Sequence, residues 1–118
     1  MLADAQTDRR RDFEIGLLMR DVKESLDRDA LDDAIAHLEE AVRLRPDDPA
    51  LSLSLGVFLM NAGRYPEAVR SLEEAVALNA GPEVHQYLAD AYSALGRVND
   101  AQDQRRLFNR RRGAATPR

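Results

Sequence analysis

The segment that decides the fold is DDAIAHLEEAVRL at residues 32–44, because it returns as PEAVRSLEEAVAL at residues 66–78. The two segments align at a separation of 34 residues. A second pair, LGVFLMNAGRYPEA at residues 55–68 and LADAYSALGRVNDA at residues 88–101, aligns at a separation of 33. A period of this length is typical of a repeat in which each unit is a pair of antiparallel helices that stacks on its neighbours.

The residue types at the repeated positions agree with a helix pair. Small residues recur where two helices would cross closely, and larger apolar residues recur between them. The turn inside each pair requires a residue that tolerates positive φ, which predicts this role for Gly63, Gly96 and, in the first unit, Asp29. We expect helices at about 9–27, 31–45, 49–62, 65–79, 82–95 and 98–111.

The bulk composition agrees with one aliphatic helical domain. The chain has 118 residues, of which 44% are hydrophobic and only 5% aromatic, and it contains no cysteine. Its start shows no secretory signal, and its most apolar stretch, Leu51 to Met60, is too short to span a bilayer. We therefore expect a protein of the cytoplasm without a membrane span.

With these residues in place, the sequence resembles the tetratricopeptide-repeat family. The second unit, from Pro49, carries the family's large–small pair, its turn glycine and its small helix-crossing residues. The third unit, from Pro82, matches until its last helix, and the first, from near Ile15, matches mainly in its second helix. The matching residues are Leu55, Gly56, Leu59, Gly63, Tyr65, Ala68, Leu72 and Ala75; Leu88, Ala89, Tyr92, Gly96 and Ala101; and Ala34, Leu38, Ala41 and Pro46.

The resemblance implies an all-α fold, a right-handed α-solenoid of three antiparallel helix pairs with about six helices. Residues 13–112 are expected to form a single solenoid domain with repeats at about 15–48, 49–81 and 82–112. Residues 1–12 are expected to be an extension or the start of the first helix. Residues 113–118 are expected to be a disordered tail.

No residue set in the sequence indicates catalysis. His37 and His85 lie on different predicted helices without a second ligand at metal spacing, and no phosphate-binding or nucleophile pattern occurs. The paired acids at residues 32–33 and 47–48 fall at predicted helix starts, where carboxylates cap free N–H groups. We expect no enzyme activity, no catalytic or metal-binding residue and no cofactor.

The resemblance also implies a site, because the first helix of each repeat lines a concave groove in this family. The implied function is a scaffold or adaptor that binds a peptide or helix segment of another protein in that groove. The alternative is a self-associating structural unit, with the groove filled by its own N-terminal helix or by another copy. The implied groove residues are Met19, Lys23, Leu26, Ala50, Leu53, Val57, Met60, Asn61, Glu83, Gln86 and Asp90.

Charge is distributed unevenly along the chain and suggests a second candidate surface. Residues 14–104 hold 18 acidic and 8 basic residues, whereas residues 105–118 hold six arginines and no acid. Such an end suits contact with an acidic protein, with the acidic body of another copy in a homo-oligomer or with anionic lipid. A simpler interpretation is that the arginines complement the negative end of the last helix and keep the end of the solenoid soluble. Nucleic acid is disfavoured, because no aromatic residues are interleaved for base stacking. This possible acidic-partner patch is Arg105, Arg106, Arg110, Arg111 and Arg112.

Overall fold

The computed structural model describes residues 2–114, and within them it contains six helices and no strand. Successive helices are joined by at most five residues. The predicted all-α solenoid of three helix pairs is confirmed: α1 pairs with α2, α3 with α4 and α5 with α6, and each pair packs on the next. The helices are α1 (Leu2–Asp27), α2 (Leu31–Leu44), α3 (Pro49–Asn61), α4 (Tyr65–Ala77), α5 (Glu83–Ala94) and α6 (Val98–Ala114).

The turn inside each helix pair has the same backbone conformation. Asp29, Gly63 and Gly96 have φ angles of 56°, 75° and 77°. The predicted turn residues are therefore confirmed, and aspartate is one of the few residues besides glycine that accept this conformation. In each turn an amide bonds to the carbonyl five residues earlier, as at other helix ends of this type: Ala30 to Ser25 at 2.7 Å, Arg64 to Leu59 at 2.9 Å and Arg97 to Tyr92 at 2.8 Å.

The connections between units differ from one another. After α2, the chain passes Pro46, and the Asp48 carboxylate caps α3 by accepting a hydrogen bond from the Ala50 amide at 3.0 Å. After α4, Asn79 and Gly81 both take positive φ, at 60° and 109°. The second connection has five residues, 78–82, whereas the first has four, 45–48.

The core runs along the solenoid as two buried clusters. One contains side chains of α1 to α4, and the other contains side chains of α4 to α6. Within the second pair, the helices approach closely at Gly56 of α3, where an added Cβ would lie 2.6 Å from the Cγ atom of Leu72, a fully buried residue of α4. Glycine at this position lets the two helices pack in contact.

Both terminal helices are longer than the sequence predicted. α1 begins at Leu2, so residues 2–12, expected as an extension or the start of the helix, belong to the helix. Arg45, in the connection after α2, forms an ion pair with Asp12, which ties this part of α1 to the second helix. α6 continues to Ala114 and thus includes the first two residues of the expected tail. The rest of that tail, residues 115–118, lies outside the described residues.

Replacing Gly56 with alanine is expected to destabilise the fold by about 1–2 kcal/mol, because the overpacking cost of roughly 1–3 kcal/mol exceeds the gain in helix propensity. Gly16→Ala is the matched control, because no atom lies within 4 Å of a Cβ added at that helical glycine. The control is expected to raise the free energy of unfolding by about 0.5–1 kcal/mol. Urea unfolding followed by circular dichroism measures both, and a stabilised Gly56→Ala variant would contradict the close contact.

Candidate functional site

The predicted groove residues of α3 lie along one side of that helix. Leu53, Val57 and Met60 are half-buried, whereas Ala50 and Asn61 are exposed. Leu53 and Met60 pack in part against the buried cluster of α4 to α6, while Val57 belongs to neither cluster. Of the three half-buried apolar side chains, Val57 is therefore the one outside both clusters.

The predicted residues of α5 continue the same surface. Glu83, Gln86 and Asp90 are all exposed and spaced to lie on one side of the helix. They occupy the repeat positions of Ala50, Leu53 and Val57, shifted by 33 residues, and α3 contacts α5. We call the surface formed by these six residues the α3–α5 face; it is apolar on α3 and acidic on α5.

The predicted residues of α1 are not part of this continuous surface. Met19, Lys23 and Leu26 are exposed and share one side of α1. Among the described residues, however, no Cα atom of α1 lies within 8 Å of a Cα atom of α3, because α1 packs on α2. The structure thus brings together the residues of the second and third units and leaves those of the first unit at a distance.

A pocket of about 240 Å³ joins two regions that the sequence analysis kept separate. It lies between α5 and α6 beside the α3–α5 face, and the Arg105 guanidinium donates a hydrogen bond there to the Ser93 hydroxyl at 3.1 Å. A cation and a carboxylate therefore line the same depression. Its lining residues are Gln86, Asp90, Arg105, Phe108 and Asn109.

The five arginines expected to form one patch point in different directions. Arg106 pairs with Asp103 of its own helix at 3.2 Å. Arg112 stacks over the Phe108 ring, with 5.5 Å between its guanidinium carbon and the ring centroid. Arg110 is exposed. The remaining two contact α5, Arg105 through Ser93 as described and Arg111 through a histidine.

That histidine, His85, is buried between α5 and α6 and has a partner at each ring nitrogen. Nδ1 lies 2.8 Å from the Gln104 side-chain oxygen, and Nε2 lies 3.0 Å from an Arg111 nitrogen. The oxygen can only accept and the guanidinium can only donate, so this arrangement assigns the proton to Nδ1 and the lone pair to Nε2. His85 therefore holds α6 on α5.

A second polar contact links the second and third units. The Tyr92 hydroxyl of α5 donates to the Glu73 carboxylate of α4 at 2.7 Å. Burial and this hydrogen bond raise the pKa of Tyr92 to about 12. Sequence reasoning identified Tyr92 as a core position but missed both polar contacts. The available signal was that His85 and Tyr92 bring polar atoms to positions where the repeat packs.

In residues 2–114 no group of histidine, cysteine, aspartate or glutamate side chains is placed to hold a metal ion. Nor does any helix in that part of the chain combine the length and the apolar character needed to cross a membrane.

Comparison with known proteins agrees with the repeat. The family model of the tetratricopeptide repeat matches residues 25–86, which is more than half of the chain. No curated protein matches it.

Several solved structures are similar in fold. A structure of MamA AMB-1 gives a TM-score of 0.78 at 24% identity, over 88% of this chain and 61% of its own length. MamA MSR-1 gives 0.78 at 21% identity, over 98% and 72%. The TPR domain of Arabidopsis FLU gives 0.76 at 21% identity, over 88% and 98%. At these identities the likeness establishes the fold alone, and the chain spans about three fifths of the first MamA structure.

The raised pKa of Tyr92 predicts a pH dependence of stability. A folded-state pKa of about 12, against about 10 in the unfolded chain, means that the neutral phenol contributes stability below about pH 10 and loses it as the pH rises toward 12. Tyr92→Phe should remove this loss and also the last phenol to ionise in an absorbance titration of the folded protein. Tyr87→Phe, an exposed control, should leave that last step in place; a titration in which Tyr87→Phe removes it instead would contradict the assignment.

Proposed function

The chain belongs to the tetratricopeptide-repeat family, and we propose that it is a scaffold which binds a peptide or helix segment of another protein on its α3–α5 face. Members of this family bind other proteins, so an interaction function follows from membership. We argue below for the position of the site on this chain and for the chemistry of the bound segment.

The proposed site rests mainly on the placement of Val57 and Asp90. These residues occupy the same repeat position on neighbouring helices, Val57 half-buried and Asp90 exposed. A segment lying across the two helices would bury an apolar side chain against Val57 and place a polar one beside Asp90. Exposed apolar surface next to oriented charge is typical of protein-binding grooves.

The charges on α5 favour a segment with a basic residue. Glu83 and Asp90 give this side of the face two carboxylates, one turn either side of Gln86. Arg105 lines the same pocket as Asp90, whereas Glu83 does not line that pocket. Like charges facing one another across an interface cost free energy, so an acidic segment is disfavoured there. The expected ligand therefore combines apolar anchors for α3 with a lysine or arginine for α5.

The proposal includes no catalytic step. Both histidines lie away from the α3–α5 face: His85 is buried against α6, and His37 is on α2. The face offers carboxylates, an amide and aliphatic side chains, which suit recognition.

The two alternative occupants of the α3–α5 face, the chain's own N-terminal helix and a second copy of the chain, differ in their support. Filling of the face by the chain's own N-terminal helix has little support. α1 packs on α2, and in the described part of the chain none of its Cα atoms lies within 8 Å of a Cα atom of α3. Filling by a second copy is a distinct outcome of the sedimentation experiment described in the next subsection.

The test is selection of peptides from a random displayed library on the immobilised protein. We expect selected peptides to share spaced apolar residues and at least one basic residue. Val57→Glu and Glu83→Arg should each weaken a selected peptide by on the order of tenfold, as measured by isothermal titration calorimetry.

The controls match each substitution at an exposed position of α4. Ala77→Glu introduces the same charge as Val57→Glu, and Glu74→Arg makes the same reversal as Glu83→Arg. Both controls should leave peptide affinity unchanged, and circular dichroism should show all four variants folded. Equal losses in the variants and the controls, or selection of peptides without a basic residue, would overturn the proposed site.

A further inference from the structure

The free side of the first helix pair carries an apolar depression surrounded by carboxylates. A pocket of about 260 Å³ lies between α1 and α2, with Leu17 partly exposed in it and Asp21 beside it. Phe13, one turn before Leu17, is 68% exposed. We call this surface the N-terminal edge; its pocket is lined by Glu14, Leu17, Leu18, Asp21, Glu40 and Leu44.

The free side of the last helix pair carries an arginine, Arg105, beside Asp90. The pocket between α5 and α6 contains Arg105 and Phe108, and Arg112 stacks on Phe108. Arg106 and Arg110 are exposed on the same helix. We call the surface of Arg105, Phe108 and Asn109 on α6, with Gln86 and Asp90 on α5, the C-terminal edge.

The repeat register shows how these two edges correspond. Inside the chain the second unit joins the third through a buried cluster that includes Leu72 of α4 and Leu88 of α5. The position of Leu72, shifted by 33 residues, is occupied on α6 by Arg105. Leu88 of α5 corresponds to Leu55 of α3, which is 33 residues earlier. Leu55 in turn corresponds to Asp21 of α1, which is 34 residues earlier.

A neighbouring pair of positions follows the same rule. Ala75 of α4 corresponds to Phe108 of α6, and Val84 of α5 corresponds to Leu17 of α1. Ala75 and Val84 belong to the same internal cluster. At the two free edges, the positions of Ala75 and Val84 thus carry the apolar residues Phe108 and Leu17. The positions of Leu72 and Leu88 carry the opposite charges of Arg105 and Asp21.

From this correspondence we propose that copies of this chain associate head-to-tail, with α6 of one copy on α1 of the next in the way that α4 lies on α5. Arg105 of one copy pairs with Asp21 of the next, and Phe108 covers Leu17. This contact uses different surfaces on the two copies, so it leaves a free edge at each end and extends into open chains of molecules. The charged pair keeps the contact dependent on salt.

The C-terminal edge shares Gln86 and Asp90 with the α3–α5 face. The two proposals are therefore separated by residues outside this overlap: Asp21 and Arg105 belong only to the edges, and Val57 belongs only to the face. Sedimentation velocity across a range of protein concentrations measures the association. The wild type is expected to form larger species as concentration rises at low salt, and to return toward the monomer at high salt.

Charge reversal gives the decisive readout. Asp21→Arg and Arg105→Asp each place like charges across the junction and should weaken association by at least about tenfold. Mixed in equal amounts, the two variants should associate again, since every junction between them pairs opposite charges. One chain carrying both substitutions should self-associate like the wild type.

Charge reversals elsewhere serve as controls. Arg70→Asp and Glu74→Arg, both at exposed positions of α4, should leave association unchanged. A wild type that stays monomeric at low salt would overturn the proposal. So would association that survives both single reversals, or association lost in Val57→Glu and retained in the reversals, which would place the second copy on the α3–α5 face.

Discussion

The contact between Gly56 of α3 and Leu72 of α4 is the constraint on which the rest of the arrangement depends. Leu72 is fully buried and belongs to the cluster that joins the second unit to the third. Because α3 and α4 approach closely at this point, Leu72 also reaches the layer that α5 covers. One close helix crossing thereby orders three helices and places α3 and α5 side by side, which creates the α3–α5 face.

The same junction explains the character of the two ends. Inside the chain, Leu72 and Leu88 are both apolar and belong to the same buried cluster. At the ends the corresponding positions are Arg105 and Asp21, whose charges remain compatible with water while a partner is absent. The same repeat register therefore relates three surfaces. One is the α3–α5 face, and the other two are the edges, where Asp21 and Arg105 carry opposite charges.

Sequence reasoning reached the fold because the repeat itself encodes it. The period, the turn residues Asp29, Gly63 and Gly96, and the all-α solenoid were all predictable. The separation of α1 from α3 was not predictable, because it depends on how the first unit packs. In that unit Ser25 occupies the position of Leu59 and Tyr92, and its buried hydroxyl has no hydrogen-bond partner among the described residues. The pocket joining Asp90 to Arg105 was missed because the two residues were assigned to separate surfaces. Site positions on the α3–α5 face remain a proposal.

The most direct test of the central claim, that the α3–α5 face is the binding surface, is a map of amide chemical shifts in the ¹⁵N-labelled protein on addition of a selected peptide. The account predicts that the largest changes fall on α3 and α5, around Val57, Gln86 and Asp90, with small changes on the outward positions of α4. Changes concentrated on α4, or on α1 and α2 alone, would contradict it.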